Sequence, residues 1–217
     1  MSIVYGSIAF ADTSKLMQWG GYFAVPSSLT QYVYYSNQCS SEAKTPIQNA
    51  INTWNSASPT SMSFSLRPTI NLYSYNPSSP VDGFNTIGTP LPYSVFSVIA
   101  NSSTAVMCNT FQATLSNSKW KITEFDILYN MSYTFGVNTS TSLPYDWQGL
   151  FTHELGHSFG LADLAYWDNT VSTIPTMYGG ASFIYGMNYY DNITYYYRTL
   201  TSYDTTGKSE AYSYSGL

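Results

Sequence analysis

Through residues 16–36 aromatic and aliphatic positions alternate with small polar ones, the two-residue period of a strand, and Val33-Tyr34-Tyr35 reads as a central strand. The period then lengthens. Ile47, Ala50, Ile51 and Trp54 recur at helical spacing behind Ser40-Ser41-Glu42, which can cap a helix start. A helix is therefore expected through about Trp54, lying over the sheet. A strand is expected near 62–66, and the proline-rich stretch 76–92 predicts loop around a short strand at 85–87. Residues 95–99 and 105–108 read as short strands or bulged loop, and 121–129 as an edge strand. From about Tyr145 to Phe159 the pattern is helical again. Trp147, Phe151, Leu155 and Phe159 recur every four residues as a stripe that packs on the sheet, with His153 and His157 in the adjacent row. Beyond lie an irregular stretch over 164–187 and a helix over about 192–202, capped by Asp191, with Tyr195-Tyr196-Tyr197 packing from it. A loose tail is expected from Thr205 onward.

No repeat or linker divides this pattern. It predicts one α+β domain over 1–217, with 1–15 as an N-terminal extension and 205–217 as the tail. A hydrophobic share of 44% is enough for a packed core, which sets disorder aside. Charged residues make up only 9%, so serine, threonine, asparagine and 22 tyrosines carry the surface polarity. The net charge of −5 leaves no basic stripe, and nucleic-acid binding has no electrostatic basis. No apolar run is long enough to span a membrane.

Cys39 and Cys108 are the only cysteines. An even count in an export-like composition predicts a disulfide between them, closing a loop of about 70 residues and contributing roughly 4 kcal/mol. Glycosylation-type triplets at Asn101, Asn130, Asn138 and Asn192 point weakly the same way. The first dozen residues lack a basic leader and a full apolar block. The expectation is a secreted protein whose leader is not part of this chain.

The chemistry is concentrated in residues 153–163, His-Glu-Leu-Gly-His-Ser-Phe-Gly-Leu-Ala-Asp, which hold both histidines of the chain. One helical turn apart, His153 and His157 can converge on one ion, with Glu154 beside them to handle the proton of a metal-activated water. Gly160 permits a sharp turn, after which Asp163 can bring an oxygen to the same ion. Two nitrogens, one oxygen and an open fourth position describe a single catalytic zinc rather than a structural one. No motif supports a structural calcium ion.

This extended motif resembles that of the metzincin metallopeptidases, HExxHxxGxx(H/D), whose chains continue to a methionine-containing turn beneath the metal. Ile174-Pro175-Thr176-Met177-Tyr178-Gly179-Gly180 is similar to that turn, with Met177 at its centre. Within the metzincins the matrixin group is the nearest likeness. Residues 146–152 resemble the start of the matrixin active-site helix, 82–87 an earlier turn-and-strand, and 122–130 the edge strand above the cleft. The likeness covers about 28 to 200. Asp163 departs from the usual third histidine and is similar to the snapalysin-type enzymes. The tyrosine that several metzincins place two residues after the turn methionine is Gly179 here, so that role does not carry over. The cysteine-bearing pro-segment of many matrixins is also absent from this chain.

The resemblance implies a zincin-like fold, a twisted mixed sheet with an active-site helix and a smaller C-terminal part bearing the methionine turn. It also implies a monomeric zinc endopeptidase that cleaves internal bonds of a protein or peptide substrate, with Glu154 as general base. The substrate would add as a strand along Ile127, Leu128 and Tyr129, and Tyr178 would shape the pocket floor. Two other functions share the motif: a surface or virion-associated binding module with a structural or vestigial zinc site, and a zinc hydrolase of another amide bond. Glu154 argues against the first, because a structural site has no use for a carboxylate that is not a ligand.

Overall fold

The computed structural model describes residues 2–4, 15–68, 82–137, 145–164, 175–178 and 198–217. The irregular stretch after 164, the helix expected over 192–202 with Asp191 and Tyr195–Tyr197, and the loop before 82 fall wholly or mostly outside the described residues.

A mixed sheet forms the frame, twisted as sheets of L-residues are. Its order is β1 (Ser2–Val4), β7 (Met107–Ser116), β8 (Lys119–Asn130), β6 (Asn85–Leu91), β4 (Thr30–Tyr35) and β5 (Ser63–Arg67). A further strand, β3 (Tyr22–Pro26), runs parallel to the first part of β8 and carries the short β2 (Gln18–Trp19) antiparallel to it. The β4–β5, β4–β6 and β6–β8 pairs are parallel, whereas β7 is antiparallel to both β8 and β1. Two shorter strands, β9 (Phe135–Gly136) and β10 (Tyr145–Asp146), pair in parallel just before the active-site helix.

Alternation along β8 sends Ile127 and Tyr129 to one face of the sheet and Leu128 to the other. The first face is covered by α1 (Ser41–Ser56) and α3 (Trp147–Ser158). Ser40 caps α1 by accepting the Glu42 N–H, and Ile47, Ala50, Ile51 and Trp54 are buried, as their helical spacing requires. The Trp54 indole donates to the Thr152 carbonyl at 2.7 Å, tying α1 to α3, and its ring meets Phe159 edge-on at 5.5 Å. Each such fully buried side chain contributes about 1.5–3 kcal/mol of hydrophobic stabilisation. In α3 the stripe Trp147, Phe151, Leu155 is buried, and Gln148 is the one residue of the helix that is not.

Several elements differ from the pattern-based expectation. Residues Tyr93–Ile99 form a helix, α2, rather than a strand. Their β-branched residues suit a strand, but Phe96 and Ile99 share one helical face and pack with Leu91 and Leu128 on the second face of the sheet. The tail is not loose: Ser202–Ser215 form α4, which docks through Lys208. That side chain is fully buried, with Nζ donating to the Trp54 and Ala57 carbonyls at 2.7 and 2.8 Å at the C-terminal end of α1. Burial pushes the Lys208 ammonium down to about 8.

The proposed edge strand is an interior one. Ile127, Leu128 and Tyr129 pair with β6 on one side and β7 on the other, so their backbone groups cannot take up a substrate strand. The expected disulfide is also absent, and both cysteines are free. Cys39 packs against Gly88 of β6 with the α1 cluster, while Cys108 belongs to the α2 cluster, so the sheet stands between the two thiols. Burial raises Cys39 to about 11 and pushes Cys108 well above its ordinary value, which keeps both protonated. Among the described residues no helix is long and apolar enough to cross a membrane.

Candidate metal centre

Asp146 starts α3 by accepting the Gly149 N–H at 2.7 Å, and Arg198 grips the same carboxylate through Nε at 2.8 Å and through Nη2. The helix ends in a glycine-based cap. The Leu161 N–H reaches back to the Gly156 carbonyl and the Gly160 N–H to that of His157, the paired bonds of a Schellman motif. Gly160 has φ +89, and a Cβ there would fall on the Ala24 carbonyl oxygen of β3. Only glycine fits. The chain leaving this cap is held by backbone bonds to residues 15–17: Met17 N–H to the Gly160 carbonyl at 2.7 Å and Ala162 N–H to that of Lys15 at 2.9 Å.

That turn brings Asp163 back under the helix. Its Oδ1 lies 3.2 Å from Nε2 of His153 and 3.4 Å from Nε2 of His157. The other ring nitrogens are engaged: Nδ1 of His153 lies 2.7 Å from the Thr176 carbonyl and Nδ1 of His157 lies 2.8 Å from the Leu161 carbonyl. A carbonyl only accepts, so each Nδ1 carries a proton, and it is Nε2 of each ring that faces Asp163 and, in the neutral form, offers its lone pair there. Asp163 Oδ1 is buried and takes no hydrogen bond. Three potential ligand atoms thus meet at one point. Donor atoms about 2.0–2.1 Å from a tetrahedral zinc stand roughly 3.3 Å apart, and the two observed spacings bracket that value. The residues fit the ion.

Electrostatics agree. Burial alone would lower the His157 imidazole, but Asp163 and Glu154 outweigh it and lift the ring to about 9. His153 is raised by the same balance. Burial would raise the Asp163 carboxyl, yet the two histidines hold it well below the ordinary carboxylate range. The pocket calls for positive charge, which protons supply when no ion does.

A Glu154 oxygen also lies within 4.8 Å of nitrogens of both histidines. The Asp163 contacts are shorter, at 3.2 and 3.4 Å. Burial raises the Glu154 carboxyl, while both histidines and the Asn109 N–H of β7 oppose the rise. Met177 is wholly buried beneath the helix, and a Cβ at Gly156 would run into its sulfur. Tyr178 is half-buried and pairs by a backbone bridge with Leu164.

Two buried residues that brace the site escaped the sequence reading. Asn109 Nδ2 donates to the Glu154 carbonyl and to Ser158 Oγ, both at 2.7 Å, fixing α3 against β7 one turn at a time. Its only sequence signal is an asparagine, a poor strand former, within an apolar strand. Asp204 is buried at the start of α4, where Thr201-Ser202-Tyr203-Asp204 has the spacing of a capping box with aspartate at its third position.

No protein-family model matches the chain, and no curated protein matches it in sequence. Among solved structures the chain is similar to high choriolytic enzyme 1, a hatching-enzyme zinc-protease from Oryzias latipes (medaka fish), at 14% identity and a TM-score of 0.42, with 91% of this chain and 98% of that one covered.

Proposed function

We propose that this chain is a zinc-dependent endopeptidase in which His153, His157 and Asp163 hold the metal and Glu154 moves the proton. The observation that carries the reading is the convergence of three buried lone-pair donors at zinc-ligand spacing, with a fourth, non-ligand carboxyl beside them. A zinc ion bound there supplies Lewis acidity, polarising a peptide carbonyl and acidifying water. Glu154 accepts the proton of the attacking water and returns it to the departing amine, and burial lifts its carboxyl above its ordinary value, which favours holding that proton. Asn109 holds the helix turn that bears Glu154.

The substrate edge moves from β8 to β7. Among the described residues β1 pairs only with Phe111–Ala113 of β7, and no described strand pairs with the outer edge of Met107–Thr110 beside Glu154. An extended peptide can add there as a strand, and because an open edge takes a chain through its middle, internal bonds are the expected targets. The metzincin-type motif and the buried Met177 support a relation to that group, with Tyr178 lining the pocket beyond the turn. The charge-poor, hydroxyl-rich composition supports action outside the cell.

The test is metal analysis with a peptide-library screen. The wild type is expected to bind about one zinc per chain and cleave peptides, and Glu154→Ala to keep the zinc and lose at least about 100-fold in rate. A zinc-free wild type would defeat the metal assignment. A zinc-loaded wild type that spares peptides and hydrolyses another amide would move the same residues to a different substrate.

A further inference from the structure

The remaining buried group that touches this machinery without belonging to it is the carboxylate of Asp204, which is 0% exposed. On one side it closes the start of α4, its Oδ2 accepting the Thr201 N–H at 2.7 Å and the Thr201 hydroxyl at 2.8 Å. On the other side it reaches the turn beneath the metal site. Oδ2 accepts the Thr176 N–H at 3.1 Å and Oδ1 the Met177 N–H at 3.0 Å. A helix cap needs only the first pair. The second pair satisfies two N–H groups of a non-helical turn whose residues are themselves fully buried.

Thr176 is the residue whose carbonyl receives Nδ1–H of His153. Its hydroxyl is tied to the Thr199 carbonyl at 3.1 Å, just before α4. Met177, held by the same carboxylate, lies with its sulfur against Gly156 between the two histidines. One residue of the C-terminal helix therefore fixes both the acceptor that aims an imidazole and the side chain that supports the helix carrying it. Hydrogen bonds to a charged acceptor are short and strong, and a buried carboxylate that lost a partner would be costly, so the turn has one stable place.

We infer that Asp204 is a positioning residue of the metal centre: through the Thr176 carbonyl it orients His153, and it makes α4 a working part of the zinc site. The inference rests on the zinc assignment made above, and its test reads metal affinity rather than turnover.

Zinc affinity is measured by chelator competition on the full chain, together with the visible absorption of the cobalt-loaded protein. Asp204→Asn keeps the size of the side chain but replaces one acceptor with an amine facing donors. It should weaken zinc ten- to a hundredfold, as loss of a ligand's outer partner does, and shift the cobalt bands while far-ultraviolet circular dichroism stays native. Thr201→Val is the control, because it removes only the cap hydroxyl. It should lower the melting temperature and leave zinc affinity within about twofold. Asp204→Asn with wild-type affinity overturns the inference, as does a Thr201→Val that weakens zinc equally, since the effect would then be helix stability alone. If Asp204→Asn does not fold, Asp204→Glu carries the test, because it keeps the charge and shifts the acceptors by one methylene; weaker zinc supports the inference and unchanged zinc overturns it. A wild type that binds no zinc overturns the metal assignment and this inference together, whereas a zinc-binding wild type with an indifferent Asp204 overturns this inference alone.

Discussion

His157 and His153 lie one turn apart on α3 with rings 4.9 Å apart, yet they are held in opposite ways. The acceptor for His157 is the Leu161 carbonyl, four residues on, delivered by the helix's own C-terminal cap. The acceptor for His153 is the Thr176 carbonyl, 23 residues away, and Thr176 is in turn fixed by Asp204 across 28 more. One imidazole is set by a local turn and the other by docking of the C-terminal helix. Local geometry of the first kind forms wherever the chain makes that helix end, while the second exists only once α4 has packed. Metal affinity should accordingly depend on global docking through His153 and on one glycine through His157.

The largest effect tests what the two arms share. Asp163→Ala removes the oxygen that both rings face and should weaken zinc by more than the roughly 100-fold expected for an outer partner; equilibrium dialysis that finds zinc retained would place the third ligand elsewhere. Next comes the local arm. Gly160→Ala puts a Cβ onto the Ala24 carbonyl at a φ of +89, and should cost more than about 2 kcal/mol of stability in denaturant melts while weakening zinc about tenfold or more. An unchanged variant would mean that the cap does not set His157.

A smaller, graded effect comes from protons. His157 is raised to about 9 without an ion, and zinc needs its neutral form, so a proton must leave on binding. As pH falls below about 9, zinc affinity should drop by up to about tenfold per unit for each proton displaced, and calorimetry in buffers of different ionisation heat should count that proton at pH 7. Affinity independent of pH between 7 and 9 would contradict the assignment. The smallest effect sharpens the contrast from outside both arms. Asn109→Leu loses the bonds to the Glu154 carbonyl and Ser158, costing about 1 kcal/mol, and should leave zinc affinity within twofold while lowering kcat. Weakened zinc there would show that β7 positions ligands as well as the base.

Legibility in the sequence followed the same division. The cap of α1, the stripe of α3, the glycine turn and the clustering of His153, His157 and Asp163 were all readable because each depends on neighbours within a turn or two. Strand β8 was found within two residues of its ends, but its neighbours were not, and it was misplaced at an edge. Nothing in a strand's own residues says which strands flank it. Helix α2 was missed because its β-branched residues favour extended chain and only the apolar surface of Leu91 and Leu128 favours the helix. The disulfide was expected from counting, and counting cannot see that a sheet separates the thiols.

By itself, then, the sequence determined which side chains converge, since helical periodicity and one positive-φ glycine turn His153, His157 and Asp163 toward one point. Tertiary structure alone decided which strands flank β8, that the last residues form a helix, and that Asp204 closes the network behind His153. Those outcomes depend on burial and on pairing between segments far apart in the chain, where the energy of a contact belongs to both partners and is written in neither.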